Sequence, residues 1–179
     1  MSKAFLREDD LHAEETSTLP VKLLPQGAKN YMTPAGVERL RIELRDLADE
    51  RTVLAGKTDP EAKRERQKIE QRMRYLQQSL HSAEVVPPPG VATDTVVFGA
   101  SVTVRDSAGV ETRYRIVGVD ETDLERGDVS WLSPLAQALL NARAGERVRF
   151  KTPRGETELE ILKVSYQGPS QSLTKNPHS

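Results

Sequence analysis

Two apolar stripes, parted by a five-residue break, constrain this chain more than any other feature. Val37, Leu40, Leu44 and Leu47 recur at spacings of three, four and three, and Leu54 resumes the stripe after Arg51 interrupts it. The second stripe runs through Ala62, Ile69, Met73, Leu76 and Leu80. Such spacing lines one face of a helix and asks for a partner helix. Thr33-Pro34 opens the first helix, because threonine caps well and proline suits the first helical position. In Gly56-Lys57-Thr58-Asp59-Pro60 the glycine ends that helix, Thr58 or Asp59 can cap the next, and Pro60 fits its first turn. So short a connection folds the pair back antiparallel as a helical hairpin. Leu40 and Leu44 should then face Leu80, Leu76 and Met73, with Leu54 near Ala62. Arms of about 22 residues reach roughly 33 Å. Apolar residues thin out toward the tip, which should be the less stable end.

Charge is arranged locally. The whole chain has 26 basic and 27 acidic residues, so an electrostatic partner must meet a patch and not the molecule as a whole. The second helix supplies one: Lys63, Arg64, Arg66, Lys68, Arg72 and Arg74 crowd the positions between its apolar residues. The absence of cysteine excludes disulfides and thiolate chemistry and suits a reducing cytoplasm. His12, His81 and His178 have no ligand spacing, so no intrinsic metal is expected. No Ser/His/Asp array or glycine-rich phosphate loop is present. The N-terminal MSKAFLREDDLHAEE lacks a signal-peptide core, and no apolar run approaches the roughly 20 residues of a membrane span. A cytoplasmic monomer without a membrane partner is the expectation.

Beyond Pro87-Pro88-Pro89-Gly90, a stiff break, the periodicity changes from helical to alternating. Strands are expected at Val96-Val97-Phe98 with 101–105, at 111–119 and at 128–132, and a hairpin from 147–152 and 156–166 around Pro153-Arg154-Gly155. Ser133-Pro134 should cap a short helix over 135–142. The fold class is therefore α+β: an antiparallel helical hairpin followed by an antiparallel sheet carrying one short helix. The expected division is a disordered tail over 1–30, the hairpin over 31–86, a linker over 87–95, the globule over 96–167 and a disordered tail over 168–179.

Met32-Thr33-Pro34-Ala35-Gly36, the leucine seam, Arg72-Met73-Arg74-Tyr75-Leu76 and Val97-Phe98-Gly99-Ala100-Ser101-Val102-Thr103-Val104 together resemble the Gre transcript-cleavage factors of bacterial RNA polymerase. Arg113–Gly118, Ser133–Leu140 and Lys151–Glu156 continue the match, which covers about Tyr31 to Tyr166. The arginine-rich second helix ending in Arg74-Tyr75-Leu76 looks more like the GreB branch. The resemblance implies a coiled-coil hairpin, an FKBP-like globule, and binding at the polymerase secondary channel with the hairpin inserted. One departure stands out. The family's tip motif, glycine-aspartate-x-x-glutamate-asparagine-alanine, is absent, and the hairpin looks about two heptads shorter overall, or about 10 Å less reach. A short hairpin on this globule resembles the Rnk-type relatives, which bind polymerase without the cleavage carboxylates.

The tip offers Asp59 and Glu61, with Glu65 one turn on. In the family, tip carboxylates help hold a second Mg²⁺ in the polymerase active site, which promotes hydrolysis of backtracked RNA. Magnesium takes hard oxygen ligands and keeps waters, so one or two donated carboxylates suffice. The competing account makes Asp59 a helix cap and Glu61 a first-turn acid favoured by the helix dipole. The basic residues Lys63, Arg64, Arg66, Lys68, Arg72 and Arg74 could meet the 3′ segment of backtracked RNA or the acidic channel rim. Alternatively they form a solvated face neutralised by Glu65, Glu70, Glu43, Asp46 and Glu50. In the globule the resemblance brings Trp131, Ser133 and Pro134 toward the polymerase; Trp131 could equally be core. An FKBP-like shape does not imply prolyl isomerase activity, because fold alone does not determine function. A channel regulator that competes without cleaving, and more remotely an isomerase or chaperone, are the alternatives.

Overall fold

The computed structural model describes residues 24–166. The expected tail over 168–179, and residues 1–23 of the one expected over 1–30, lie outside the described residues. The part of the expected N-terminal tail that is described is ordered: Ala28 N–H donates to Pro25 O at 2.9 Å across a turn at Gly27, and Asn30–Met32 forms strand β1.

Both helices begin where their caps dictate. In α1, Pro34–Ala55, the Thr33 hydroxyl accepts from Gly36 N–H at 3.0 Å and Pro34 takes the first position. Asp59, not Thr58, caps α2, Pro60–Ser82, accepting from Ala62 N–H at 2.9 Å. The two helices form an antiparallel hairpin whose core is Met32, Val37, Leu40 and Leu76, with Leu44, Leu47 and Leu80 packed against it. Ala62, Ile69 and Met73 are also buried along the α2 seam, whereas Leu54 is half-buried.

One element at the hairpin base has no sequence signal strong enough to announce it. Strand β1 pairs in parallel with β2, Ala83–Val85, which follows directly on α2. Asn30 ties this pair to α2, its amide donating to Ser79 O at 3.0 Å and Ser82 Oγ at 3.1 Å. A three-residue strand carries too little alternation to be read from sequence.

The globule is a five-stranded sheet ordered β5-β4-β3-β7-β6: β3 Ala100–Asp106, β4 Glu111–Val117, β5 Asp128–Ser130, β6 Arg147–Thr152 and β7 Gly155–Tyr166. It departs from the expected all-antiparallel sheet, because β4 and β5 run parallel. The chain leaves β4 at Gly118, makes a 3-10 turn over Val119–Glu121 and loops back to start β5 alongside β4. The expected strand over 111–119 accordingly stops at Val117.

Two further expectations are corrected. Residues 96–98 are not in a strand; they end in a turn at Gly99, whose φ of 86° suits glycine, before β3 begins at Ala100. Val96 is instead held by the chain beyond the short helix, bonding Ala142 O and Asn141 N–H, each at 2.8 Å. That helix, α3, spans Pro134–Leu139 and does not reach Ala142, because the backbone reverses at Asn141, φ 69°.

The core lies on one face of the sheet beneath α3, built from Val96, Ala100, Val102, Val104, Ile116, Ala136, Leu139, Leu159 and Ile161. Strict alternation would put Ile161 and Val164 on opposite faces. A bulge opposite Thr103/Val104 absorbs one β7 residue, so Ile161 pairs with Val104 and Val164 with Val102, and both face inward. No described helix is long and apolar enough to cross a membrane.

Hairpin and globule are locked through Glu121. Gly36 sits in the first turn of α1 against this carboxylate, and a Cβ there would overlap it. We expect Gly36→Ala to cost about 1–3 kcal/mol in urea unfolding, as forced overpacking does. Gly56→Ala is the control. Its backbone is already right-handed helical, φ −80° and ψ −6°, with open space around it. That substitution should be neutral or stabilise by up to about 1 kcal/mol.

Candidate functional site

The hairpin base is a network of buried acceptors and donors. Glu121, 2% exposed, takes Thr33 N–H at 2.8 Å and Gly118 N–H at 3.0 Å on Oε2 and the Thr33 hydroxyl on Oε1. The Thr33 oxygen simultaneously accepts from Gly36 N–H and, at 3.4 Å, from Arg115. Arg39 approaches Oε1 at 3.8 Å. Helix α1 has no acidic residue in its own first turn, so Glu121 supplies the negative charge its N-terminus favours. The neighbouring Asp120 accepts from Tyr75 and Ser79 of α2. Two consecutive acids thus grip one helix each. Burial first, and the Asp120 carboxylate second, push the Tyr75 phenol well above its usual range.

An aromatic step completes the junction. Tyr31 packs edge-on against Trp131, centroids 5.1 Å apart at 62°, and against Phe98 at 5.8 Å. Trp131 is therefore half-buried between the core and the hairpin base. Its indole N–H has no hydrogen-bond partner among the described residues. Ser133 caps α3, accepting from Ala136 N–H at 3.2 Å, and Pro134 is exposed beside it.

The tip acids stand at the far end. Asp59 and Glu61 are both exposed. The Ala62 N–H holds the Asp59 carboxyl below the usual aspartate range. Its Oδ1 makes that bond, and the Asp59 and Glu61 amides add smaller contributions in the same direction. Glu65 bonds Lys68 at 3.4 Å. No group of three or more potential metal ligands gathers among the described residues.

The basic residues of α2 do not form one stripe. At about 100° per residue, Lys63, Arg66 and Arg74 lie on one side of the apolar seam and Arg64 and Lys68 on the other. Arg72 belongs to the hairpin itself. Its guanidinium makes a two-pronged bond to Glu43 of α1, at 2.7 and 3.1 Å, and lies 5.5 Å from the Tyr75 ring centroid. The Glu43 hydrogen bond raises its already high pKa. Arg74 turns back to Glu70 O at 3.3 Å. The side chains of Lys63, Arg64 and Arg66 have no hydrogen bond or ion pair among the described residues.

Sequence reasoning missed Tyr31, Asp120 and Glu121. The signal available was Gly118 followed by two acids at a strand end, but their partners lie 88 positions away at Thr33 and 41 to 45 away at Ser79 and Tyr75.

The globule thus grips the base of a long helical hairpin and leaves Asp59 and Glu61 exposed at its far end, the architecture of an α+β protein with a projecting arm. Comparison with known proteins gives that architecture its family. Residues 91–166 match the family described as "Transcription elongation factor, GreA/GreB, C-term". The chain is 41% identical over 154 residues to transcription elongation factor GreB of Neisseria meningitidis, covering 77% of this chain and 94% of that protein. It is 39% identical over 134 residues to transcription elongation factor GreA of Syntrophotalea carbinolica, covering 73% and 84%. Among solved structures, GreA factor homolog 1 of Thermus thermophilus is 22% identical with a TM-score of 0.36, covering 77% of this chain and 99% of that one. The chain belongs to the GreA/GreB family of transcription elongation factors.

The geometry separates structural cations from free ones. We expect Arg72→Ala to lower stability by about 1 kcal/mol in chemical denaturation, since a partly exposed ion pair and a ring contact are lost. Lys63→Ala and Arg64→Ala should stay within about 0.5 kcal/mol. The Asp59 cap carries a pH signature. Because its folded pKa is depressed, its contribution is complete above the unfolded value and is lost as pH falls through the folded one. Protection of the Ala62 amide, taken relative to its intrinsic exchange rate at each pH, should therefore fall on acidification below the ordinary aspartate range, and an Asp59→Ser variant should show no such step.

Proposed function

We propose that this protein binds RNA polymerase with its hairpin in the secondary channel and stimulates the polymerase's own cleavage of backtracked RNA, as a GreB-like factor. The observation that carries this reading is the pair of exposed carboxylates, Asp59 and Glu61, at the end of arms of 22 and 23 residues held rigidly at their base. The Asp59 and Glu61 carboxylates are hard oxygen donors of the kind Mg²⁺ accepts alongside water. A Mg²⁺ in the polymerase active centre would polarise the scissile phosphate and make its bound water a better nucleophile. The role of this chain is positional. Its hairpin turn holds both acids at the same end of the arm, and the Glu121 and Asp120 contacts orient the arm's base. Lys63, Arg64 and Arg66, close behind the tip, would meet the phosphates of the extruded RNA 3′ segment without reading sequence. Trp131, Ser133 and Pro134 would lie outside, near the channel rim.

A second reading has its own observation. Asp59 already has structural work as the α2 cap, and the family's tip motif is absent from the chain. On that reading the protein occupies the channel and competes with other factors without promoting cleavage.

The deciding measurement is RNA cleavage by a stalled elongation complex at neutral pH. Wild type should accelerate it. Asp59→Ser keeps an N-capping oxygen but removes the carboxylate, and with Glu61→Gln should abolish stimulation while binding persists. A wild type that binds and displaces a cleavage-competent factor but cleaves nothing establishes the second reading.

A further inference from the structure

The outer face of the sheet is organised in cross-strand rows, and those farthest from the hairpin are balanced in charge. Lys151 lies opposite Glu156, and Arg149 opposite Glu158, with Nε 2.7 Å from its carboxylate. Arg147 reaches the same carboxylate at 3.5 Å, and Arg105 bonds Glu111 at 2.7 Å. Opposite charges set across strands stabilise a sheet, and like charges oppose it.

The two rows nearest the hairpin break this pattern. Arg113, Thr103 and Lys163 are direct partners in one row, and Arg115, Ser101 and Ser165 in the next. These alternate positions share the face opposite the core. The rows place three cations among three hydroxyls, with no carboxylate from β3, β4 or β7. Among the described residues the Arg113 side chain donates only to Ser101 Oγ, at 3.1 Å, and the Arg115 side chain only to Thr33 Oγ1. The Lys163 side chain has no hydrogen bond or ion pair among the described residues. Asp128 flanks Arg115 in register on β5, but it is buried and makes no ion pair with it.

We propose that this patch is the docking surface for the chain's own acidic segment, residues 8–15. Two observations select that occupant. The segment reads EDDLHAEE, five carboxylates with no lysine or arginine, which complements the exposed Arg113 and Lys163, with the half-buried Arg115 beside them. The chain also enters the fold beside the patch. Thr33, which Arg115 bonds, lies 18 residues after Glu15, a span of up to about 60 Å when extended. A tether of that length keeps the segment at an effective concentration near the millimolar range, enough for a contact that would be weak between separate molecules. The cations of α2 are a poorer match: Arg72 and Lys68 already have carboxylate partners, and Lys63, Arg64 and Arg66 are split by the seam near the far tip. A nucleic acid backbone shares the charge complementarity but lacks the tether, and none of the six row residues is aromatic to stack a base.

Because the chain has no cysteine, His12→Cys accepts a single nitroxide label without removing a carboxylate. Amide signals of 101–105, 111–115 and 161–165 in the full chain should lose intensity at low ionic strength and recover at high salt. Recovery is also expected in Arg113→Glu/Lys163→Glu, and in a tail with Glu8, Asp9, Asp10, Glu14 and Glu15 changed to amides. The tail variant leaves the globule untouched should the sheet variant fold poorly. Unaffected sheet signals, loss confined to α2, or loss that survives high salt and the tail variant would overturn the proposal. Sheet amides that ignore the label but shift with a short oligothymidylate would assign the patch to nucleic acid and equally overturn it.

Discussion

Everything the hairpin can do depends on one buried carboxylate. Glu121 takes two backbone N–H groups and a hydroxyl, and an arginine stands within 4 Å of it, so its charge is met inside the protein. A buried charge left without such partners costs on the order of 3–5 kcal/mol, so the junction tolerates little rearrangement. Its partners lie on both sides of the boundary: Thr33 begins α1, and Gly118 ends β4. The same oxygen of Thr33 caps the helix and donates to Glu121, which couples the start of the hairpin to the seating of the globule. Gly36 and Gly118 are glycines for this reason, since any side chain would enter the space that Glu121 or the Tyr31 carbonyl fills.

Asp120 extends the grip to the second helix, and through Tyr75, Arg72 and Glu43 the network returns to α1. The lower half of the hairpin is therefore cross-linked by polar contacts as well as by its leucines. The upper half has a thinner seam, with Leu54 only half-buried and Val53 69% exposed. The base is cross-linked on both helices and the tip is lightly packed, so the direction of the arm is set by its anchor.

The hairpin was legible in the sequence because its signals are local. Thr33-Pro34, Gly56 and Asp59-Pro60 punctuate the helices within a few residues of where they act, and the leucine spacing repeats over several turns. Most strands were legible by alternation, and Arg147–Thr152 was read to the residue. The errors occurred where a distant contact overrides alternation. Residues 96–98 look like strand but bond the chain after α3, and Val119 continues an alternating run but turns so that Glu121 can face Thr33. The parallel β4–β5 pair was hidden because the return loop between them carries no sign of direction. Among the site residues, the exposed position of Asp59 and Glu61 followed from the break between the stripes. The division of the basic residues into a structural Arg72 and free Lys63, Arg64 and Arg66 depended on which side of α2 faces Glu43.

The sequence by itself determined a capped helical hairpin, an α+β globule after a proline break, and acids at the turn, because caps, periodicity and turn chemistry act over a few residues. Only the tertiary structure decided how the hairpin sits on the globule and which charges are already used. Those outcomes depend on pairs such as Thr33 and Glu121, 88 positions apart, whose meeting no local pattern encodes.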